Sequence, residues 1–141
     1  MADWKDDLNA FFKDKENQAK MNEEKSKDAA AMVETFISIV VKPAFEELKA
    51  EFEKNGKEVN VSVGQDSASI VIDPNKYERF DYRIKARGSM PYTEQRSKSE
   101  GQTYRWEEYL RSSNMGYTAA DITKDEIISH FIRAYQSNVR R

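Results

Sequence analysis

The sequence predicts an α+β fold: a four-stranded antiparallel meander covered on one face by a long kinked helix and a C-terminal helix, with a short N-terminal amphipathic helix in front. Two stretches carry most of that reading. In Tyr77–Arg87, Phe80, Tyr82, Ile84 and Ala86 alternate with Arg79, Asp81, Arg83, Lys85 and Arg87, the period-2 pattern of a strand with one face on a core and one in water. In residues 29–55 the apolar positions instead recur at helical spacing, from Met32, Val33, Phe36 and Ile37 through Val40, Val41, Ala44 and Phe45 to Leu48 and Phe52.

Taken in order, Trp4, Leu8, Phe11 and Phe12 share one helical face, with Asp3 as a cap and Asp6 and Asp7 favouring the positive helix end. Residues 13–28 are almost wholly polar and charged, an exposed helical extension or a hinge. They separate an N-terminal unit, 1–28, from a single α+β domain, 29–141. The apolar face of 4–12 is too short to be stable alone, so it must dock on the body or on a partner. In the main helix, Pro43 lacks a donor and should kink the chain near Ile39. Gly56, after Asn55, is available for a left-handed cap.

Two short strands follow. In the first, Val59, Val61 and Val63 alternate with Glu58, Asn60 and Ser62; in the second, Ala68, Ile70 and Ile72 alternate with Ser69, Val71 and Asp73. Gly64–Ser67 and Asp73-Pro74-Asn75 read as turns, with Asp73 placed to bond the backbone ahead of it. After Tyr77–Arg87, residues 88–101 read as a polar loop of the kind that is often functional. A fourth strand, Gln102–Tyr109, sets Tyr104 and Trp106 against Arg105 and Glu107. A second loop, Ser112–Asp121, leads to a helix opened by a Thr123–Glu126 capping box. Its expected buried face is Ile127, Ile128, Phe131, Ile132, Tyr135 and Val139, which leaves His130 toward solvent.

Composition removes several function classes. The chain has no cysteine, so disulfides, thiolate catalysis and cysteine-ligated zinc are excluded. With a single histidine, a transition-metal site would have to be mostly carboxylate. No phosphate-binding glycine loop, calcium loop or nucleophile elbow occurs, and no cofactor or metal is expected. Asp73, Asp81 and Lys85 lack the spacing of a nuclease triplet. No apolar run reaches the ~20 residues needed to cross a bilayer, and the N-terminus has no secretory pattern. A soluble, cytoplasmic protein without membrane contact is the expectation.

Arg79, Arg83, Lys85 and Arg87, with Tyr92 and Arg96 in the next segment and Arg105 beyond it, form the densest set of candidate binding residues. Cations among aromatics on an open sheet suit single-stranded nucleic acid. The same cations can instead pair with Glu58, Glu78, Asp81, Glu100 and Glu107. The net charge of −2 favours pairing. A non-enzymatic protein-interaction or adaptor module, homodimeric, is therefore the first expectation. Its surface would be the outer sheet face and the 88–101 segment, with Trp4, Leu8, Phe11 and Phe12 as a partner-docking helix. Nucleic-acid binding comes second. An enzyme with a pocket of Tyr77, Arg79, Tyr92 and Trp106 comes third. No motif ties the order of elements to a family.

Overall fold

The computed structural model describes residues 4–99, 101–111 and 116–139. Asp3, expected as a cap, Glu100, expected as a cross-strand acid, the start of the second loop at Ser112 and the side chain of Val139 lie outside the described residues.

The first helix, α1, runs unbroken over Trp4–Phe36, so the segment 13–28 is helical extension rather than hinge. It passes through a π-helical turn, Ile37–Val41, directly into α2, Lys42–Lys54. Pro43 is the cause of that turn. It has no N–H for the carbonyl one helical turn back and its ring crowds that carbonyl. The chain therefore widens locally, and the Lys42 N–H reaches the Ile37 carbonyl instead. α2 ends where Gly56 takes a φ of 82°: the N–H groups of Gly56 and Lys57 bond back to the carbonyls of Glu53 and Phe52, at 3.0 and 3.1 Å.

The sheet has five antiparallel strands rather than four, in chain order: β1 Val59–Val63, β2 Ala68–Ile72, β3 Arg79–Arg87, β4 Met90–Ser99 and β5 Gln102–Tyr109. The added strand is β4, in the segment read as a loop. Two tight turns, with Gly88 at φ 60° and Gly101 at φ 79°, reverse the chain on either side of it. Its inward positions are Pro91, Thr93, Gln95 and Ser97, all buried although three are polar, so no apolar alternation marks it in the sequence. Two of the polar side chains are tied in, although Gln95 Oε1 stays buried without a partner among the described residues. Thr93 Oγ1 donates to the Glu108 carbonyl (2.8 Å), and Gln95 Nε2 donates to Thr93 Oγ1 (3.0 Å).

A 3₁₀ turn, Ala119–Asp121, precedes α3, Lys124–Val139. At the start of α3, Thr123 and Glu126 meet as the capping box predicts. Thr123 Oγ1 accepts the Glu126 N–H (3.2 Å), while the Glu126 carboxylate accepts two hydrogen bonds from Arg111 (2.7 and 2.9 Å). That guanidinium holds the Glu126 carboxyl below its usual range.

α2, the π turn and α3 cover the inner sheet face. Phe45, Leu48, Ile70, Phe80, Tyr82, Ile84, Ile127 and Phe131 form the centre of the core. Phe131 meets Tyr82 edge-on, with ring centroids 5.0 Å apart, and Phe45 does so at 6.1 Å. No helix among the described residues lies over the outer face. At β5 the inner face also runs past its cover, leaving Tyr104 half exposed. Among the described residues no helix is long and apolar enough to cross a membrane.

Candidate functional site

The period-2 geometry of β3, β4 and β5 gathers all seven predicted surface residues on the outer face. Arg79, Arg83, Lys85 and Arg87 stand on β3, Tyr92 and Arg96 on β4, and Arg105 on β5. The register sets Asp81, Arg96 and Arg105 in one cross-strand row, and Arg83, Glu94 and Glu107 in the next. Like charges face each other across β4 and β5 in both rows, so the favourable pairs run from β3 to β4 and β5 instead. Asp81 accepts two hydrogen bonds from Arg79 (2.7 and 3.1 Å) and one from Arg96 (2.8 Å). Lys85 reaches Glu94 (3.3 Å), and Arg87 pairs with Glu107 while lying 4.1 Å over the Tyr92 ring. The Asp81 carboxylate raises the Arg79 pKa above its ordinary value. Among the described residues, Arg83 and Arg105 have no carboxylate within ion-pair distance. The face is thus a mixed-charge lattice around an open hollow of about 590 Å³, lined among others by Val71, Asp81, Arg83, Arg96 and Arg105.

Tyr77, Arg79, Tyr92 and Trp106 do not converge on a pocket. Tyr77 is exposed, and Trp106 pairs in register with Gln95 on the opposite face, against the core.

The predicted docking helix lies elsewhere. Trp4, Leu8, Phe11 and Phe12 are all exposed, and the first buried one among the described side chains of α1 is Val33. The described part of α1 before it stands off the body as an arm, about 40 Å long at 1.5 Å per residue.

The histidine corrects a sequence expectation. His130 is not exposed but 5% accessible, because α3 buries Ile127, His130, Phe131 and Ala134 rather than the face that includes Ile132. The Tyr82 hydroxyl lies 2.7 Å from Nδ1 of His130, and Nε2 lies 3.1 Å from Glu108 Oε1. Burial raises the Tyr82 pKa well above normal, so the phenol keeps its proton and donates it. Burial also lowers the His130 pKa, against the opposing pull of Glu108. A neutral ring protonated on Nε2 satisfies both contacts. Both nitrogens are then engaged in hydrogen bonds within the fold. The only sequence signal for this network is its surroundings: the polar inward residues of β4 and the Glu108 carboxylate require a polar neighbour on α3. Beside it opens a hollow of about 610 Å³ lined by Trp106, Glu108, His130, Arg133 and Asn138 among others. No group of three His, Asp or Glu residues suited to a metal occurs among the described residues.

No family model matches the chain, and no solved structure matches it. Over 111 residues, 76% of this chain, it is 27% identical to a glycine betaine transporter of Acinetobacter baylyi. The matched stretch is 17% of that protein, so this chain spans less than a fifth of the transporter's length.

Proposed function

We propose that the chain is a non-enzymatic protein-interaction module whose contact element is the N-terminal arm, supported by the compact sheet body. The arm carries the reading. A helix of this composition gains little stability from itself, and its apolar residues Trp4, Leu8, Phe11 and Phe12 are left in water. Covering them is favourable at ~25 cal/mol per Å² of apolar surface. The likeness to a small part of a glycine betaine transporter supports a module of the kind that larger transport proteins carry. Nucleic-acid binding through the outer face has less behind it, since Asp81, Glu94 and Glu107 already hold four of its cations.

Tryptic cleavage within residues 13–27, together with Trp4 fluorescence in a Trp106→Phe background, reports whether the arm is covered. Protection and a blue shift are expected either as the chain is concentrated or on mixing with a membrane-protein extract that contains transporters. An arm that stays open to trypsin under both conditions sinks the reading.

A further inference from the structure

Where α1 enters the π turn, its surface forms the wall of a second apolar patch. A shallow groove of about 370 Å³ is lined by Met32, Phe36, Ile39, Val40, Ala119 and Ile122, among others. Ile39 is 66% exposed at its rim and Met32 37%. The molecule therefore leaves two apolar surfaces open on one continuous helix: the arm stripe near its start and the groove near its end.

We propose that these two surfaces cover each other between two copies of this chain. The first helix of one copy would lie antiparallel along that of the second, with Leu8, Phe11 and Phe12 seated in the second copy's groove and Trp4 just past its end. The proposal rests on the reading of the arm as an interaction element and names its partner.

Four observations favour this occupant. First, the surfaces share a heptad phase. Trp4, Phe11 and Met32 are separated by multiples of seven, as are Leu8 and Phe36. A seven-residue spacing stays on one seam when two helices wind left-handedly around each other. Second, the arm cannot reach its own groove. Both lie on the same unbroken helix, with Phe11 and Met32 about 30 Å apart at 1.5 Å per residue. Third, one two-fold axis near the middle of the helix, at residues 21–24, serves both contacts at once. A stripe and a groove at opposite ends of a rod are self-complementary only in the antiparallel sense. A parallel pair would leave both grooves empty, bring the two bodies to the same end, and set Lys15 against Lys15 in the seam. Fourth, the charges agree. Asp6 and Asp7 of the arm arrive beside Lys42, exposed just past the groove on the second copy.

In this register Leu8 of one copy lies across from Ile39 of the other. The natural absence of cysteine makes that contact directly testable. Sedimentation equilibrium of the full chain at micromolar concentration is expected to give twice the 16.4 kDa chain mass. Phe11→Glu and Ile39→Glu, both at exposed positions, are each expected to weaken the dimer at least about tenfold. Neither should move the thermal midpoint of a diluted, monomeric sample. Oxidising a mixture of Leu8→Cys chains and Ile39→Cys chains is expected to yield a covalent heterodimer on a non-reducing gel, whereas Leu8→Cys chains alone should give none.

Three results overturn the proposal: a monomer at high micromolar concentration, ready crosslinking of Leu8→Cys chains to each other, or an intrachain disulfide in the Leu8→Cys/Ile39→Cys double variant. Binding of the arm to anionic vesicles by a monomeric chain overturns it as well. A monomer whose arm is nevertheless protected in a membrane-protein extract removes the self-association while leaving the interaction module standing.

Discussion

The hydroxyl of Tyr82 lies 2.7 Å from Nδ1 of His130, tying the middle strand of the sheet to the last helix in the most deeply buried part of the core. The contact makes the single histidine a structural group whose protonation opposes folding. In the native state burial holds its pKa below the ordinary value, and in the unfolded chain it returns to about 6.5. The unfolded chain thus takes up a proton that the folded one resists. The resulting stability is fully present above pH ~6.5 and is lost as the pH falls through the native pKa. Urea midpoints between pH 8 and 5 are expected to fall below pH ~6.5, and His130→Gln should flatten that slope. An unchanged slope in the variant would assign the titration to another group.

Asp73 predicts a second effect. Its φ is 52°, in the left-handed region, and its carboxylate accepts the Glu58 N–H at 3.1 Å across the β1–β2 end. The side chain thus bonds a strand behind it rather than the backbone ahead. Asp73→Ala adds left-handed strain and orphans that N–H, for a combined cost of ~2 kcal/mol. Asp73→Asn keeps the tolerance for this backbone and an acceptor, and should cost less than half as much. Equal losses in the two variants, read by urea unfolding, would show that neither the strain nor the N–H matters.

Asp81 decides whether the outer face attracts anions. It binds Arg79 and Arg96 together, and Arg105 lies in the same row beyond Arg96. Asp81→Asn frees two guanidinium groups beside Arg83 and Arg105, which have no carboxylate within ion-pair distance among the described residues. The native chain is expected to show no binding of a labelled single-stranded oligonucleotide at ~0.15 M salt, where the screening length is about 8 Å. The variant should bind at low salt, with affinity falling steeply as salt rises. Salt-sensitive binding by the native chain, lost in Arg83→Glu, would instead favour the nucleic-acid reading.

The arm should be energetically separate from the body. No described side chain of α1 before Val33 is buried. Removing residues 1–28 is therefore expected to leave the urea midpoint of a monomeric sample unchanged within ~0.5 kcal/mol. A larger loss would mean that the arm folds onto the body.

Local chemistry was legible wherever a single stretch of chain decides the outcome. The alternation in β3, the left-handed cap at Gly56 and the disturbance at Pro43 all appear where the residues place them, because each depends on atoms within a turn or two. β4 was hidden for the opposite reason. Thr93, Gln95 and Ser97 are acceptable inward residues only because Glu108 and the neighbouring strands supply partners or cover. Polar residues beside two glycines otherwise read as a loop.

The candidate surface divides in the same way. The sequence by itself determined that Arg79, Arg83, Lys85 and Arg87 share one face and that Trp4, Leu8, Phe11 and Phe12 share another, since side-chain direction follows from backbone period alone. Only the tertiary structure decided which of those cations are neutralised, because Arg96 and Glu107 reach β3's charges from strands that must first be set in register. It also decided that His130 is buried. A helix fixes which of its residues lie side by side, but the elements packed against it choose how wide a face is covered. Here β5 and the Tyr82 hydroxyl extend that cover to a residue whose own helix period had placed it in water.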